Sequence, residues 1–357
     1  MRTIGVEVEH ISTLNHRSMA SLLEQHGVVI DPYATGHYTC REGCYSGWQV
    51  KTDGSINPAA GYPYGVELAS PPMTLAEANR LFKKVFLLVG KSGAVNRSCG
   101  LHVHVHAPEL GNALNNNITL EYLRNVWGLA EPLFYTYMPP SRRVNNYCRP
   151  GIVSGDKYRG FNMTHLAGGD ERRMDTVEFR MHSATLNARK ILSFMALCER
   201  MVDALASRTF MQPIDPKLNV EVPTHVVRKR NVTFEMHKTT DSKNKWVVEE
   251  RDLGTQGFPN LGVAYDELHE RLKLRARDPL QAFNYPEHGN AMSELCKKLA
   301  VPNPYKCFLE SRYEYMLDKY GPFRAGMEPA EMEDDEEDFY REPELDESNV
   351  QSAGGAF

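Results

Sequence analysis

Residues 4–11 read Ile-Gly-Val-Glu-Val-Glu-His-Ile, and the reading of this stretch decides the fold. Val6 and Val8 fall on one side of an extended chain and Glu7 and Glu9 on the other, the period of a strand with one buried and one polar face. Three further segments repeat it. Residues 48–52 and 65–69 bracket Asp53-Gly54, a hairpin or loop signal, and contribute Lys51, Asp53 and Glu67. Residues 101–106 alternate strictly and contribute His102, His104 and His106; residues 177–182 contribute Glu178, Arg180 and His182, with His106 and His182, at strand ends, equally readable as structural. Residues 28–30 read as one more short strand. Solvated strand faces ordinarily carry more Thr, Ser and Lys than these do. Here Val6, Val8, Leu101, Val103, Val105, Val177 and Phe179 form one face, and ionisable groups fill the other in every strand.

Side chains two apart on a strand lie roughly 6–7 Å from one another on the same side. Strands in register would therefore gather carboxylates, imidazoles and an arginine over one surface. Carboxylates crowded in that way repel unless cations lie between them. Oxygen-rich ligands with a few imidazoles suit Mg²⁺ or Mn²⁺ better than Zn²⁺.

Helical signals separate the strands. Asn15 caps a short helix that stops at Gly27, and Thr74-Leu-Ala-Glu77 is a capping box opening a helix over 74–89 with Ala78, Leu81, Phe82, Val85 and Val89 as its apolar repeat. A second helix spans 119–137 despite Gly128 and Pro132. Asn187 begins the strongest one, running to 207. The predicted fold class is α+β: a curved, mostly antiparallel sheet whose concave face is the active site, with these helices on the convex face. Residues 1–210 form the catalytic domain on this reading. Residues 211–325, with helices near 262–274, 289–300 and 307–319, form a mostly helical extension packed on it.

The chain has 357 residues, 41% hydrophobic and 24% charged, with a formal net charge of −5. That sum conceals an uneven distribution. Twelve acidic residues and one Arg lie between Glu328 and Glu347; outside that stretch 40 basic residues face 34 acidic ones. A mildly basic body thus carries an acidic tail, 326–357, with too little apolar content to fold alone. A basic partner for this tail is the interaction it suggests. No apolar run reaches the ~18 residues of a membrane span, and the start at Met1 enters a strand pattern directly, without a signal-peptide core. Seven scattered cysteines predict free thiols in a reducing, cytoplasmic setting. His37-x2-Cys40-x3-Cys44, with Cys148, has loose zinc-site spacing and reads more readily as a buried thiol cluster. There is no phosphate-binding glycine loop, no His-Glu-x-x-His and no Gly-x-Ser-x-Gly. No aromatic-interleaved basic stripe argues for nucleic acid.

The motifs Gly-Val-Glu-Val-Glu (5–9), Thr-Asp-Gly-Ser (52–55), Gly-Val-Glu-Leu-Ala-Ser-Pro (65–71), Cys-Gly-Leu-His-Val-His-Val (99–105) and Val-Glu-Phe-Arg (177–180), followed by Thr-Leu-Asn (185–187), together resemble the amidoligase family. That family is similar to the wider carboxylate–amine ligases with the glutamine synthetase fold, and the resemblance covers roughly residues 1–210. It implies an ATP-dependent ligase that joins a carboxylate to an amine through an acyl-phosphate, using Mg²⁺ or Mn²⁺. By that resemblance Glu7, Glu9, Asp53, Glu67, His102 and Glu178 hold the metals. Arg180 grips the transferred phosphate, a task that suits a planar, bidentate guanidinium, with Arg159 and Glu67 as further catalytic candidates. His104 is an orienting or substrate-contacting group. A family-like Arg…Asn…Tyr-Cys element makes Arg142 or Arg143, Asn145, Arg159 and Asn162 candidates for the phosphate or the substrate carboxylate, against the alternative of a solvated loop. The substrates implied are small molecules, amino acids or peptides bearing a carboxylate and an amine. Two other classes compete: a metal-dependent hydrolase built on the His102/His104 strand, and a non-enzymatic module acting through the acidic tail.

Overall fold

In the computed structural model the residues described are 2–31, 46–111, 117–143, 145–152, 155–166, 175–207, 227–229, 232–238, 246–252 and 291–323. The chain divides into two compact units: Met1–Thr209 with Phe283–Phe357, and Phe210–Ala282.

The first unit is built on an antiparallel sheet. Its strands are β1 (Ile4–Ser12), β2 (Gln49–Thr52), β3 (Tyr64–Ala69), β4 (Gly93–Ala94), β5 (Gly100–His106), β6 (Phe161–Asn162) and β7 (Thr176–Ser183). They are ordered β2-β3-β1-β5-β7-β6, with β4 beside the end of β1. The motif strand β1 is thus central, flanked by the Glu67 strand on one side and the histidine strand on the other. Residues 28–30, read as a strand, contribute only a bridge from Ile30 to Trp48.

Register follows from burying one face. Val8 pairs with Leu68 and Leu101, Val6 with Val103, and Val103 with Phe179. Val6, Val8, Leu68, Leu101, Val103 and Phe179 are all essentially inaccessible. A slip of one residue would turn this set outward, so burial holds the alignment. The helices lie on this apolar face. They are α1 (His16–Gln25), α2 (Leu75–Gly90), α3 (Pro108–Gly111), α4 (Asn117–Thr136), α5 (Pro140–Arg143) and α6 (Ala188–Ala206). Both bonds of the Thr74/Glu77 capping box are made, and Asn187 caps α6 through the Arg189 and Lys190 amides. An aromatic layer joins helices to sheet: Trp127 stacks on Phe161 at 4.7 Å, and Phe134 stacks on Phe179 at 5.9 Å.

Two later helices, α7 (Ala291–Lys298) and α8 (Asn303–Tyr320), belong to the same unit; α8 packs against α6, and α7 against α8. Arg143 fixes this attachment. Its Nε donates to the Met138 carbonyl, its Nη2 to those of Thr136 and Met316, and its Nη1 to those of Tyr320 and Gly321. A buried guanidinium can occupy a helix junction in this way because its five donors meet carbonyls that otherwise lack partners.

The second unit contains a three-stranded antiparallel meander: β8 (Val227–Lys229), β9 (Val232–Lys238) and β10 (Trp246–Asp252). These strands fall in the part of the 211–325 extension, read as mostly helical, that precedes its first expected helix. Alternation such as Val232-Thr-Phe-Glu-Met-His has the strand period. The expected helix at 262–274, the residues His37, Cys40 and Cys44, and the acidic tail lie outside the described residues. Cys99, Cys148, Cys198, Cys296 and Cys307 are free thiols. No helix among the described residues is long and apolar enough to cross a membrane.

Candidate metal and phosphate site

The face opposite the helices carries the ionisable groups, and the strand register sets them in rows. Glu9 pairs with Glu67, and Lys51 with Glu67, across β1, β3 and β2. Glu7 pairs with His102 across β1 and β5; His104 pairs with Glu178, and Glu178 with Asn162, across β5, β7 and β6. The Glu9 and Glu67 carboxylates come within metal-bridging distance of Asp53, whose Oδ1 also accepts from the Ser55 amide and hydroxyl. The second cluster joins Glu7, His102 and Glu178, with His102 Nδ1 3.3 Å from Glu7 and 3.4 Å from Glu178. A third joins His104, His165 and Glu178. All six residues predicted as metal ligands thus lie in the first two clusters.

The carboxylates are anchored from behind. Glu9 Oε2 accepts from the Gly100 amide at 2.6 Å. Gly100 leaves room for the site: a Cβ there would lie 3.0 Å from both Arg142 Nη2 and His102 Nε2. Glu178, 1% exposed, accepts from Asn162 Nδ2 at 2.7 Å on one oxygen and from Arg180 Nη1 on the other. Arg180 also donates through Nε to the Tyr147 carbonyl. Asn162 is therefore a positioning residue for Glu178, and Arg180 shares a carboxylate with both imidazole clusters.

Electrostatics differ along the face. Burial, reinforced by the charge of Glu7, pushes the Glu67 carboxyl up to about 7 although Lys51 lies 3.2 Å away. Burial also works against ionising Glu7 and Glu178, but the imidazole of His104, with further help from His102, His165 and Arg180, outweighs it. Both carboxyls fall below the usual range. His104 responds in the opposite sense: burial lowers it, but Glu7 and Glu178 raise it further. Its Nδ1 lies 3.4 Å from the Thr176 hydroxyl; its buried Nε2 makes no hydrogen bond and lies 3.6 Å from Glu7 and 3.8 Å from Glu178. A carboxylate-rich face with an imidazole nitrogen aimed between two of its carboxylates has the donor chemistry of a cation centre.

Several sequence-predicted residues are placed elsewhere. Arg143 serves the helix junction described above and not the phosphate or carboxylate site. Its neighbour Arg142 points to the sheet, its Nη2 donating to the Arg180 carbonyl at 2.7 Å and its Nε to that of Met181 at 3.3 Å. Arg159 bonds Asp156 and the Pro150 carbonyl, tying a loop rather than meeting the carboxylate rows. Asn145 likewise caps its own turn through the Tyr147 amide. His182 leaves the polar face altogether. Val103 pairs with Phe179 but Leu101 with His182, so β7 carries an extra residue at 180–181 that reverses the alternation. His182 then packs 4.6 Å from Phe194 in the core, where burial lowers its pKa to about 3. His106 lies exposed at the end of β5. His165, by contrast, is brought in from a single 3₁₀ turn, Thr164–Leu166. No strand alternation marks it, and its only sequence cue is a histidine three residues beyond Asn162.

A central strand of paired carboxylates thus lies between the Glu67 strand and the histidine strand, with the Arg180 strand beyond the latter. Residues 1–152 match a family model described as "Putative amidoligase enzyme". That stretch contains β1 to β5, and the match is in keeping with the motif resemblance. The match favours a ligase-type function over the hydrolase and tail-binding alternatives. No curated protein matches the chain.

Proposed function

We propose that the chain is an ATP-dependent carboxylate–amine ligase of glutamine synthetase-like architecture, working with Mg²⁺ or Mn²⁺ on amino-acid, peptide or other small-molecule substrates. One observation carries the reading: Glu178 is the junction of two imidazole-bearing clusters and of Arg180, in a chain whose first 152 residues match the amidoligases. Phosphoryl transfer needs divalent cations along the phosphate chain and a cationic group at the transferred phosphoryl. Glu9, Asp53 and Glu67 on one side, and Glu7, His102 and Glu178 on the other, would hold the cations, which neutralise phosphate charge when bound.

Arg180 would bind the transferred phosphoryl oxygens. Glu178 and the Tyr147 carbonyl hold its guanidinium in one orientation, so little ordering is left to be done on binding. In the reaction a substrate carboxylate oxygen attacks the γ-phosphorus and the bond to ADP breaks. The amine nitrogen then attacks the acyl carbon, and phosphate departs with the carboxylate oxygen as the amine loses a proton.

The test is ATP turnover by the full chain against a panel of carboxylates and amines. Release of ADP and phosphate only when both co-substrates are present, with a product lighter by one water than their sum, is the expected result. Transfer of ¹⁸O from a labelled carboxylate into phosphate reports the acyl-phosphate. Substrate cleavage without ATP would overturn the reading.

A further inference from the structure

The two ends of the polar face differ in donor type. Glu9, Asp53 and Glu67 offer oxygen alone. Around Glu178 the donors change: His165 Nε2 lies 3.4 Å from Oε2, and His104 Nε2 lies 3.8 Å from Oε1, the oxygen that His102 and Arg180 also approach, and 3.6 Å from Glu7. The two rings stand 5.4 Å apart between centroids at 53°, so they converge without stacking. Bonds of about 2.1 Å to a tetrahedral ion place neighbouring ligand atoms about 3.4 Å apart, the spacing of His165 and Glu178.

We infer that His104, His165 and Glu178 form a further transition-metal site, two imidazoles and one carboxylate, which adjoins the Glu7/His102 cluster through the shared Glu178 and takes a borderline cation of the Zn²⁺ or Co²⁺ kind in preference to Mg²⁺. The inference rests on the reading of this face as a cation centre, but not on ATP turnover. Imidazole nitrogen favours such ions, whereas Mg²⁺ favours oxygen and retained water. His104 is prepared as a ligand: the Thr176 hydroxyl lies beside Nδ1, which leaves the buried Nε2 with no hydrogen-bond partner and the cluster in front of it. Glu178 is prepared too, because Asn162 fixes the carboxylate plane through Oε2. His165 is about one-third exposed, which gives the ion an entry path and an open coordination position. Neither His165 nor Glu178 lies in the stretch matched to the amidoligase model.

The experiment uses the full chain, stripped with a chelator and titrated with Co²⁺ in about 100-fold excess Mg²⁺. The expected result is one retained Co²⁺ per chain with visible ligand-field bands. His104→Ala and His165→Ala should weaken Co²⁺ binding at least ~10-fold and reduce the bands, whereas Glu67→Gln leaves both unchanged. His165→Gln and the unfolding temperature of each variant guard against misfolding. Electron spin-echo measurements on the wild-type chain loaded with one Cu²⁺ per chain should show two imidazole nitrogens on one ion, with no substitution needed. Complete displacement of Co²⁺ by Mg²⁺, Co²⁺ binding unchanged by His165→Ala in a folded variant, or fewer than two coupled nitrogens would overturn the site. Failure of ATP turnover with the Co²⁺ bands intact removes the ligase reading alone; Mg²⁺-supported turnover with no retained Co²⁺ removes this site alone.

Discussion

The oxygen end of the face, around Glu9, Asp53 and Glu67, and the imidazole end, around Glu178, answer the problem of crowded negative charge differently. At the oxygen end the relief available within the chain is partial. Lys51 reaches Glu67 at 3.2 Å, yet Glu67 still stands near pKa 7 because burial and Glu7 oppose ionisation. At the imidazole end His104, with Arg180 and the other histidines, holds Glu7 and Glu178 ionised although burial opposes it there too. Glu67 waits for a cation to become charged, whereas Glu7 and Glu178 are ionised before any cation arrives. The Arg180–Glu178 pair, the phosphate-side anchor in the proposed function, is already formed in the free protein.

The largest effect is expected where the imidazole end converges. Glu178→Gln keeps the shape but removes the charge shared by His104, His165 and Arg180, and should lower kcat by about 10³-fold in the ligase assay, with the fold kept by circular dichroism. A fall of less than tenfold would show that the convergence at Glu178 is structural. Next comes the contrast between adjacent arginines. Arg143→Met strips donors from buried carbonyls at the helix junction and should destabilise the protein by about 2–4 kcal/mol in urea unfolding. Cation affinity of the surviving folded protein should be unchanged. A loss of cation binding would return Arg143 to the site.

How much of this was legible depends on whether a residue obeys a period. Glu7, Glu9, Glu67, His102 and Glu178 could be found because strand alternation puts them opposite Val6, Val8, Leu68, Val103 and Phe179, and burial enforces that alternation. The Thr74 and Asn187 caps were legible for the same local reason. His182 was misplaced because a one-residue bulge leaves no mark in composition, yet reverses every side chain beyond it. Arg142 and Arg143 sit on a four-residue helix, where neighbours point about 100° apart, and only the tertiary position of α8 decides which is consumed. His165 arrives on a turn with no period at all. At 227–252 the alternation was present, but it is mixed with Lys, Arg and Thr and so lacked the clean two-faced contrast of the catalytic strands.

A smaller effect should come from the boundary between the two ends. Gly100 lies where Arg142, His102 and Glu9 close together, and a Cβ would stand 3.0, 3.0 and 3.4 Å from their nearest atoms. Gly100→Ala keeps the amide that serves Glu9, and the neighbours are side-chain ends that can give by a few tenths of an ångström. The expected cost is about 1 kcal/mol of stability and a roughly tenfold loss of Mg²⁺ affinity, read by calorimetry. Wild-type affinity in this variant would mean that the two ends are not packed against each other as tightly as the register implies.

The smallest expected effect separates the ends by pH. Glu67 is raised from an unfolded value near 4.5 to about 7, so between those values the folded protein holds the extra proton. Its contribution to stability is therefore full below pH 4.5 and is lost as pH rises towards 7. Glu7 and Glu178 are shifted down, so their contribution is present above pH 4.5 and lost as pH falls below it; that of His104, shifted up, is lost as pH rises past 6.5. In chelator, Glu67→Gln should flatten the decline of the unfolding temperature from pH 4.5 to 7 by a few degrees, while the acid limb below 4.5 stays as in wild type. Mg²⁺ should raise the wild-type unfolding temperature more at pH 7 than at pH 5, because at pH 5 binding must first displace the Glu67 proton. Parallel profiles for wild type and Glu67→Gln would mean that the oxygen end is already ionised without a cation, and that the contrast between the two ends lies in geometry alone.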